Sequence, residues 1–453
     1  MKTFFVNTLF ILTFSFSGIE RILAQERLGV TPGEELRLTL TEAIGRAADQ
    51  HPTLKMAQAR ILAAEAKYTE ARSAVLPQLR LSSRAVLLSS VEEFAITLPV
   101  IGRQTLFPVV THNYSARLSL QQPLFTGFRL AKSIDIADYQ VSAASEEFAR
   151  DRSELELNVT VAYWNLYRAR KLEEVLAQSV TQLNERLREI RNFADQGLAT
   201  EGDVLKVQAQ RSDVQLRHVE AQSGIRLAAM VLNSMIGVAL ETHTIPVDTP
   251  VVAVRQSIDD LATLMKKARM ERPELKAMVH RHSMSKAGVV AARGGWFPQV
   301  MVSAGYDYAR PNPRIIPPKD RWEGSWDVGV SLQWNLWDWL ATSAQTTQAE
   351  AMLAQTQANL AQLEDAVALE VAQQYFKQME AREKISVAED GLNQATESHR
   401  MTSEKFKQGL VTNAEMLDAE TALMRARISF TNAMIDHALA TARLNRAVGA
   451  TVR

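Results

Sequence analysis

Three carboxylates sit just beyond two closely matched glycine turns: Asp203 follows Gln196-Gly197-Leu198-Ala199-Thr200, while Glu415 and Asp418 follow Gln408-Gly409-Leu410-Val411-Thr412. In both turns the threonine is placed to cap a new helix, with an acid in its first turn, and such an acid is stabilised by a few tenths to about 1 kcal/mol. Capping alone therefore accounts for Asp203 and Glu415. The sharper reading is a ring of carboxylates around a narrow mouth, which attracts cations and repels anions. The two turns share a shape but not a charge pattern, because Lys206 stands where Asp418 stands in the second copy. Leu198 and Leu410 are expected on exposed loops, either as contacts that close a helix C-terminus or as docking points for a partner protein. No other constellation suggests chemistry. The chain lacks a phosphate-binding glycine loop, a G-x-G-x-x-G, an H-E-x-x-H and a G-x-S-x-G. His280 and His282 are two residues apart and face different ways on a helix. There is no cysteine, hence no disulfide, thiolate metal site or cysteine nucleophile. No enzyme activity, cofactor or metal is expected, and 51 basic residues balanced by 51 acidic ones give no field for nucleic acid.

The two turns lie 212 residues apart and set the period of the chain. Each is a helix stop followed at once by a helix start, flanked by heptad-like runs. The first long helix, 128–195, carries an apolar seam of Ile134, Val141, Phe148, Leu155, Val159, Ala162, Leu166, Ala169, Leu176, Val180, Leu183, Leu187 and Ile190. The second, 340–407, keeps Leu353, Leu360, Val367 and Val371 but then places Gln374, Gln378, His399 and Thr402 on the seam, so it is wetter. Each spans about 100 Å if unbroken. Return helices cover 200–236 and 412–448, making residues 196–203 and 408–415 the tips of two helical hairpins.

Before each long helix the period changes from 3.6 to 2. Leu79, Leu81, Ala85 and Leu87 oppose Arg80, Ser82 and Arg84, and Tyr114, Ala116, Leu118 and Leu120 oppose Ser115, Arg117, Ser119 and Gln121. The second half repeats this with Val300, Val302, Ala304, Tyr306 and Tyr308, then with Trp326, Val328, Val330, Leu332 and Trp334. A soluble half-buried sheet gives the same alternation. The strand lengths, the aromatic ends and a basic, then apolar first 24 residues resembling an export signal favour membrane hairpins, at 78–122 and 299–335, joined by long loops at 91–111 and 309–324. Tyr114, Tyr306, Tyr308, Trp326 and Trp334 form the candidate aromatic girdle. Four strands cannot close a barrel, so a membrane reading forces oligomerisation. The resulting plan is a signal peptide 1–24, a first repeat 25–237, a Pro- and Thr-rich linker 238–257, a second repeat 258–449 and a tail 450–453. The fold class is mostly α with membrane β-hairpins, built as a duplicated helical hairpin.

The pairs LPQLRLS at Leu76 with FPQVMVS at Phe297, SLQQPLFTG at Ser119 with SLQWNLWDW at Ser331, and the two QGL turns together resemble the TolC-type outer membrane efflux proteins over about residues 36 to 449. That resemblance implies a homotrimer with a shared 12-stranded transmembrane β-barrel in outer membrane lipid and an α-barrel crossing the periplasm. It also implies a periplasmic adaptor (membrane fusion protein) and an inner-membrane pump that meet the tips at Gly197, Leu198, Thr200, Gly409, Leu410 and Thr412. The entrance ring falls on Glu415 and Asp418, with Asp203 beside them. Phe406 and Val411 stand where some relatives carry a Tyr and an Arg that latch the second tip, so closure here is expected to rest on apolar packing. The function implied is a passive exit duct of a tripartite efflux or type I secretion system. The rival readings are a periplasmic coiled-coil tether and a partner-independent diffusion porin.

Overall fold

A computed structural model of the chain describes residues 35–250 and 259–450. The signal peptide expected at 1–24 lies outside them, as do much of the tail and the later part of the linker. The chain opens with strand β1 (Glu35–Leu38) and helix α1 (Leu40–Gln50), then α2 (Pro52–Ser73). Thr39 and Glu42 form a reciprocal capping box at the start of α1, satisfying two amides that the first turn leaves without partners. Four strands follow: β2 (Gln78–Leu87), β3 (Phe94–Leu98), β4 (Gly102–Phe107) and β5 (His112–Phe125). The long helix α3 (Arg129–Asp195) and its return helix α4 (Glu201–Ile236) lead to strand β6 (His243–Pro246). The second half comprises α5 (Leu261–Glu271), α6 (Pro273–Arg293), β7 (Gln299–Arg310), β8 (Glu323–Gln333), α7 (Ala341–Lys407) and α8 (Asn413–Ala447).

The chain divides into two compact units. One gathers the residues up to His51 with Val159–Thr249 and Leu392–Thr431; the other holds Pro52–Asn158, Pro250–Gly391 and the residues from Asn432 on.

In the first unit most of the α3 seam is packed: Val159, Ala162, Leu166, Leu176, Leu183, Leu187 and Ile190 are buried, with Ala169 and Val180 half-buried. Leu176 and Leu183 meet Val214 and Ala221 of α4 and Met424 of α8. β1 pairs in parallel with β6, Glu35 opposite His243 through Leu38 opposite Pro246. Buried Tyr163 fastens this pair by donating to the Leu38 carbonyl and the Asp248 carboxylate, each at 3.0 Å. Its desolvated phenol titrates well above the ordinary tyrosine range. Asn233 adds amide bonds to the carbonyls of Leu240 and Thr242. The first part of the supposed linker 238–257 is therefore structured, and Glu35–Leu38 is the strand it pairs with.

In the second unit one antiparallel sheet runs in the order β2-β5-β7-β8, so the two hairpins join edge to edge through β5 and β7. Register aligns the pleat across all four strands. Leu81 opposes Leu118, Leu118 opposes Tyr306, and Tyr306 opposes Trp326, all on one face. Trp326, Val328, Val330 and Leu332 on that face are each about two-thirds exposed, the reverse of a soluble sheet's buried side. The stretch 91–111 is not a plain loop: β3 and β4 form a separate small hairpin. Strand β5 also runs past residue 122 to Phe125, paired there with β7 and not with β2, with a register shift between Pro123 and Phe125.

Helical packing in this unit centres on Leu264, Ala268, Leu275, Val367, Val371 and Leu444. The polar seam is real at Gln378, buried with its amide 3.4 Å from His437 Nε2. The side-chain carbonyls of Gln374 and Gln378 are buried without partners there. Buried Arg272 ties α6, α7 and α8 through Glu274, Glu370 and the Ala447 carbonyl.

Where each hairpin enters its long helix the chain makes the same turn twice. Gly127 and Phe128 have φ of 62° and 68°, and Trp339 and Leu340, 212 residues later, have 53° and 67°. In the first copy a Cβ at residue 127 would lie 2.3 Å from the Gly294 carbonyl oxygen, so only glycine fits. In the second copy tryptophan takes the left-handed conformation, at a cost of order 1 kcal/mol.

Candidate functional site

Both tips are built by the same local chemistry. α3 ends at Asp195, Gly197 turns with φ 74°, and the Leu198 amide bonds back to the Phe193 carbonyl at 2.8 Å. In the second copy Gly409 has φ 73° and Leu410 bonds back to Lys405 at 2.9 Å. These are left-handed helix ends that glycine permits without a Cβ clash. The next helix starts at once. Thr200 and Asp203 cap each other, with the Asp203 amide 3.2 Å from Thr200 Oγ1 and the Thr200 amide 3.3 Å from Asp203 Oδ2. Thr412 and Glu415 repeat this at 3.3 and 3.1 Å.

The capping geometry separates the three acids. Asp203 is held below the ordinary carboxylate range first by the Thr200 hydroxyl, then by the Thr200 amide and Lys206, whose Nζ lies 3.8 Å away. The carboxylate of Glu415 turns back onto its own helix. Asp418 is exposed and has no hydrogen-bond or ion-pair partner among the described residues. The amides of Leu198 and Leu410 close their helix ends, while the residues as a whole remain 73% and 68% exposed.

Immediately behind the tips lies a cluster that sequence reasoning did not single out. Arg186 of α3 is buried, stacks 4.6 Å from the Phe406 ring, and pairs with Glu189 at 2.7 Å and Glu420 at 3.2 Å. Leu187, Ile190, Val207, Phe406 and Met416 form the surrounding apolar core, with Val411 against it. Burial raises Glu420 above the ordinary carboxylate range in spite of the opposing Arg186 charge. Asn413 donates to the Asp203 carbonyl at 3.3 Å, and Gln210 donates to Thr421 at 3.3 Å. Thus α8 is joined to both helices of the first hairpin. Arg186 only adjoins the seam residue Leu187, and its partner lies 234 positions away, so spacing along the chain carried no signal for it.

The sheet has its own chemistry. On its polar face Arg117 of β5 reaches over β7 to pair with both Asp307 of β7 and Asp327 of β8, and Arg314 also pairs with Asp327 at 3.3 Å. On the opposite side, Tyr114 and Tyr308 stack against Trp322, with ring centroids 6.1 and 5.0 Å apart; Trp322 is a further aromatic at that end. Trp334 lies one residue beyond β8, not within it, and its indole donates to the Trp296 carbonyl at 3.1 Å. Among the described residues no helix is long and apolar enough to cross a membrane, and no group of His, Cys, Asp or Glu could hold a metal ion.

Known proteins share this arrangement. The family described as "Outer membrane efflux protein" matches residues 43–238 and 264–450. The outer membrane protein TolC of Vibrio cholerae is 23% identical over 412 residues, covering 90% of each chain. The outer membrane efflux protein BepC of Brucella suis is 23% identical over 333 residues, covering 73% of this chain and 71% of its own. Among solved structures, the outer membrane protein VceC from Vibrio cholerae superposes with a TM-score of 0.74 at 19% identity, over 91% of this chain and 97% of its own. CusC gives 0.78 at 17% identity, over 91% and 92%. A mostly helical chain with this sheet and these two tips has the fold of an outer membrane channel. The chain belongs to the outer membrane efflux protein family, and its place is the outer membrane.

Proposed function

We propose that the chain is the passive exit duct of a tripartite efflux or type I secretion assembly, with energy supplied by an inner-membrane pump. The observation that carries this is the sheet: β2 and β8 are its two unpaired edges, and its outward face is apolar. Bare strand edges cannot lie in hydrocarbon, where each unmet amide costs several kcal/mol. Neighbouring copies therefore supply the missing partners. Three copies close a 12-stranded barrel, the number implied by the TolC-type resemblance. A periplasmic tether would have no use for such a face.

At the tips, the exposed Leu198 and Leu410 are the docking points for a periplasmic adaptor, and Asp418, with Glu415 beside it, gives the mouth its carboxylates. Native mass spectrometry of the detergent-purified protein tests the assembly, with a trimer expected and a monomer overturning it. The adaptor reading predicts that Leu198→Asp/Leu410→Asp leaves the trimer intact and abolishes adaptor crosslinking at the tips in cells. Undiminished crosslinking would remove that reading and leave the barrel standing.

A further inference from the structure

The polar face of the sheet divides its charges unevenly between its strands. Arg80 and Arg84 of β2 and Arg117 of β5 share that face, and neither strand carries an acid. The acids of the face stand on β7 and β8, at Asp307, Glu323 and Asp327. Register sets Arg117 opposite Ser82, diagonally between the two arginines of β2, so three guanidinium groups crowd two neighbouring strands. Like charges placed in this way oppose one another. Arg117 escapes by reaching across β7 to Asp307 and, at 3.0 Å, to Asp327. Gly305 leaves that path open, since a Cβ there would lie 2.5 Å from Arg117 Nη2. Asp327 is held by Arg314 as well, and Glu323 by Arg321, so every acid of the face is engaged. Arg80 and Arg84 stay exposed, and their side chains have no hydrogen-bond or ion-pair partner among the described residues. Their neighbours on the face, Ser82, Ser115 and Ser119, are too short to shield them.

We propose that Arg80 and Arg84 form an oxyanion-binding site, repeated around the lumen of the closed barrel, whose ligand is a carboxylate, phosphate or sulfate group on a transported molecule. The inference rests on the reading of the chain as a duct, which makes the polar face of the sheet the wall of the passage. Assembly does not consume the pair, because a neighbouring copy brings its β8 against β2 with Asp327 and Glu323 already engaged in their own chain. Arginine suits the ligand: its planar fork offers two parallel N–H donors to one oxyanion. An oxyanion held between Arg80 and Arg84 also offsets the repulsion that the crowding creates. The charge is opposite in sign to that of Asp418 and Glu415 at the tips, so the two sites answer to different blockers.

Single-channel recording of the full-length protein in planar bilayers tests the site, with inorganic tripolyphosphate applied to each side in turn. The expected result is block from at least one side that strengthens as salt is lowered. The half-blocking concentration should rise roughly tenfold or more in Arg80→Gln/Arg84→Gln, which removes charge-assisted contacts. Part of the block should return in Arg80→Lys/Arg84→Lys, where the charge survives without the paired donors. Asp418→Asn should leave it unchanged. Conducting wild-type channels that tripolyphosphate does not block, or block that is equal in the glutamine variant, overturn the anion site and leave the duct standing. Native mass spectrometry of the glutamine variant should still give a trimer; a monomer would assign the two arginines to the contact between copies and overturn the site. Wild-type protein that is monomeric and does not conduct overturns the duct, and the site with it.

Discussion

Arg186→Met should loosen the tips selectively. The Arg186 and Glu420 side chains retain 9% and 11% of their surface, so the pair lies out of reach of solvent screening. Removing the guanidinium leaves Glu420 buried with no cation, a change that costs about 3 to 5 kcal/mol when a buried pair is broken from one side. The stacking over Phe406 is lost as well, worth about 0.5 to 2 kcal/mol. If the loss falls on local opening, cleavage at residues 196–203 and 408–415 by a dilute protease speeds up by roughly three hundredfold to a hundred-thousandfold, at about 1.4 kcal/mol per decade. Two controls make the reasoning specific. Arg186→Met/Glu420→Met replaces both charges with apolar groups and should recover most of the protection, since an apolar pair of similar volume is often as stable. The penalty should also fade in acid, because Glu420 already titrates above the ordinary carboxylate value and its neutral form needs no cation. The idea fails if Arg186→Met is cleaved at the wild-type rate, or if the double substitution is as labile as the single one.

Three further outcomes follow from individual groups. His437 is held below the ordinary imidazole range by burial and by Arg382, so the folded state keeps it neutral. Its contribution is complete above that range and is lost as pH falls, and His437→Gln should narrow the gap between melting temperatures measured near neutral pH and at about pH 5. Trp339→Gly should raise stability in detergent by about 1 kcal/mol by relieving the left-handed tryptophan, read as a higher melting temperature. Asp418→Asn should reduce cation selectivity in single-channel recording more than Glu415→Gln does, because the Glu415 carboxylate is engaged by Thr412. Equal effects of the two would place the ring on both acids.

Long-range pairing marks the boundary of what the sequence made legible. Heptad spacing marks long helices at 128–195 and 340–407, and α3 and α7 cover Arg129–Asp195 and Ala341–Lys407. Period-two alternation locates the outer strands because each strand shows both faces within its own residues. β1 and β6 are four residues each and are defined by a partner about 200 residues away, which no local period records. β3 and β4, five and six residues long, fall in the stretch 91–111 expected as loop, where Pro99 and Gly102 break the run between them. At the tips the acids were visible as helix-start residues, but whether a carboxylate faces solvent or its own cap depends on side-chain torsion. Hence Asp203 and Glu415, equivalent in sequence, were legible as capping acids, while the solvent-facing carboxylate of Asp418 was not. Phe406 was legible as an apolar substitution; the arginine above it was not.

The parallel pairing of Glu35–Leu38 with His243–Pro246, fastened by Tyr163 to Leu38 and Asp248, also bears on how the chain is made. Strand β1 has no partner until about two hundred further residues have been delivered. Loop closure over that distance precedes any contact it gains. The first repeat therefore cannot complete its fold as it appears, and a half-delivered chain presents an unpaired strand and bare apolar seams. The stage before Asp248 is delivered is therefore when the chain is most prone to association through its bare edges and seams, and truncation before Asp248 should leave β1 unpaired and the product more readily aggregated than the full chain.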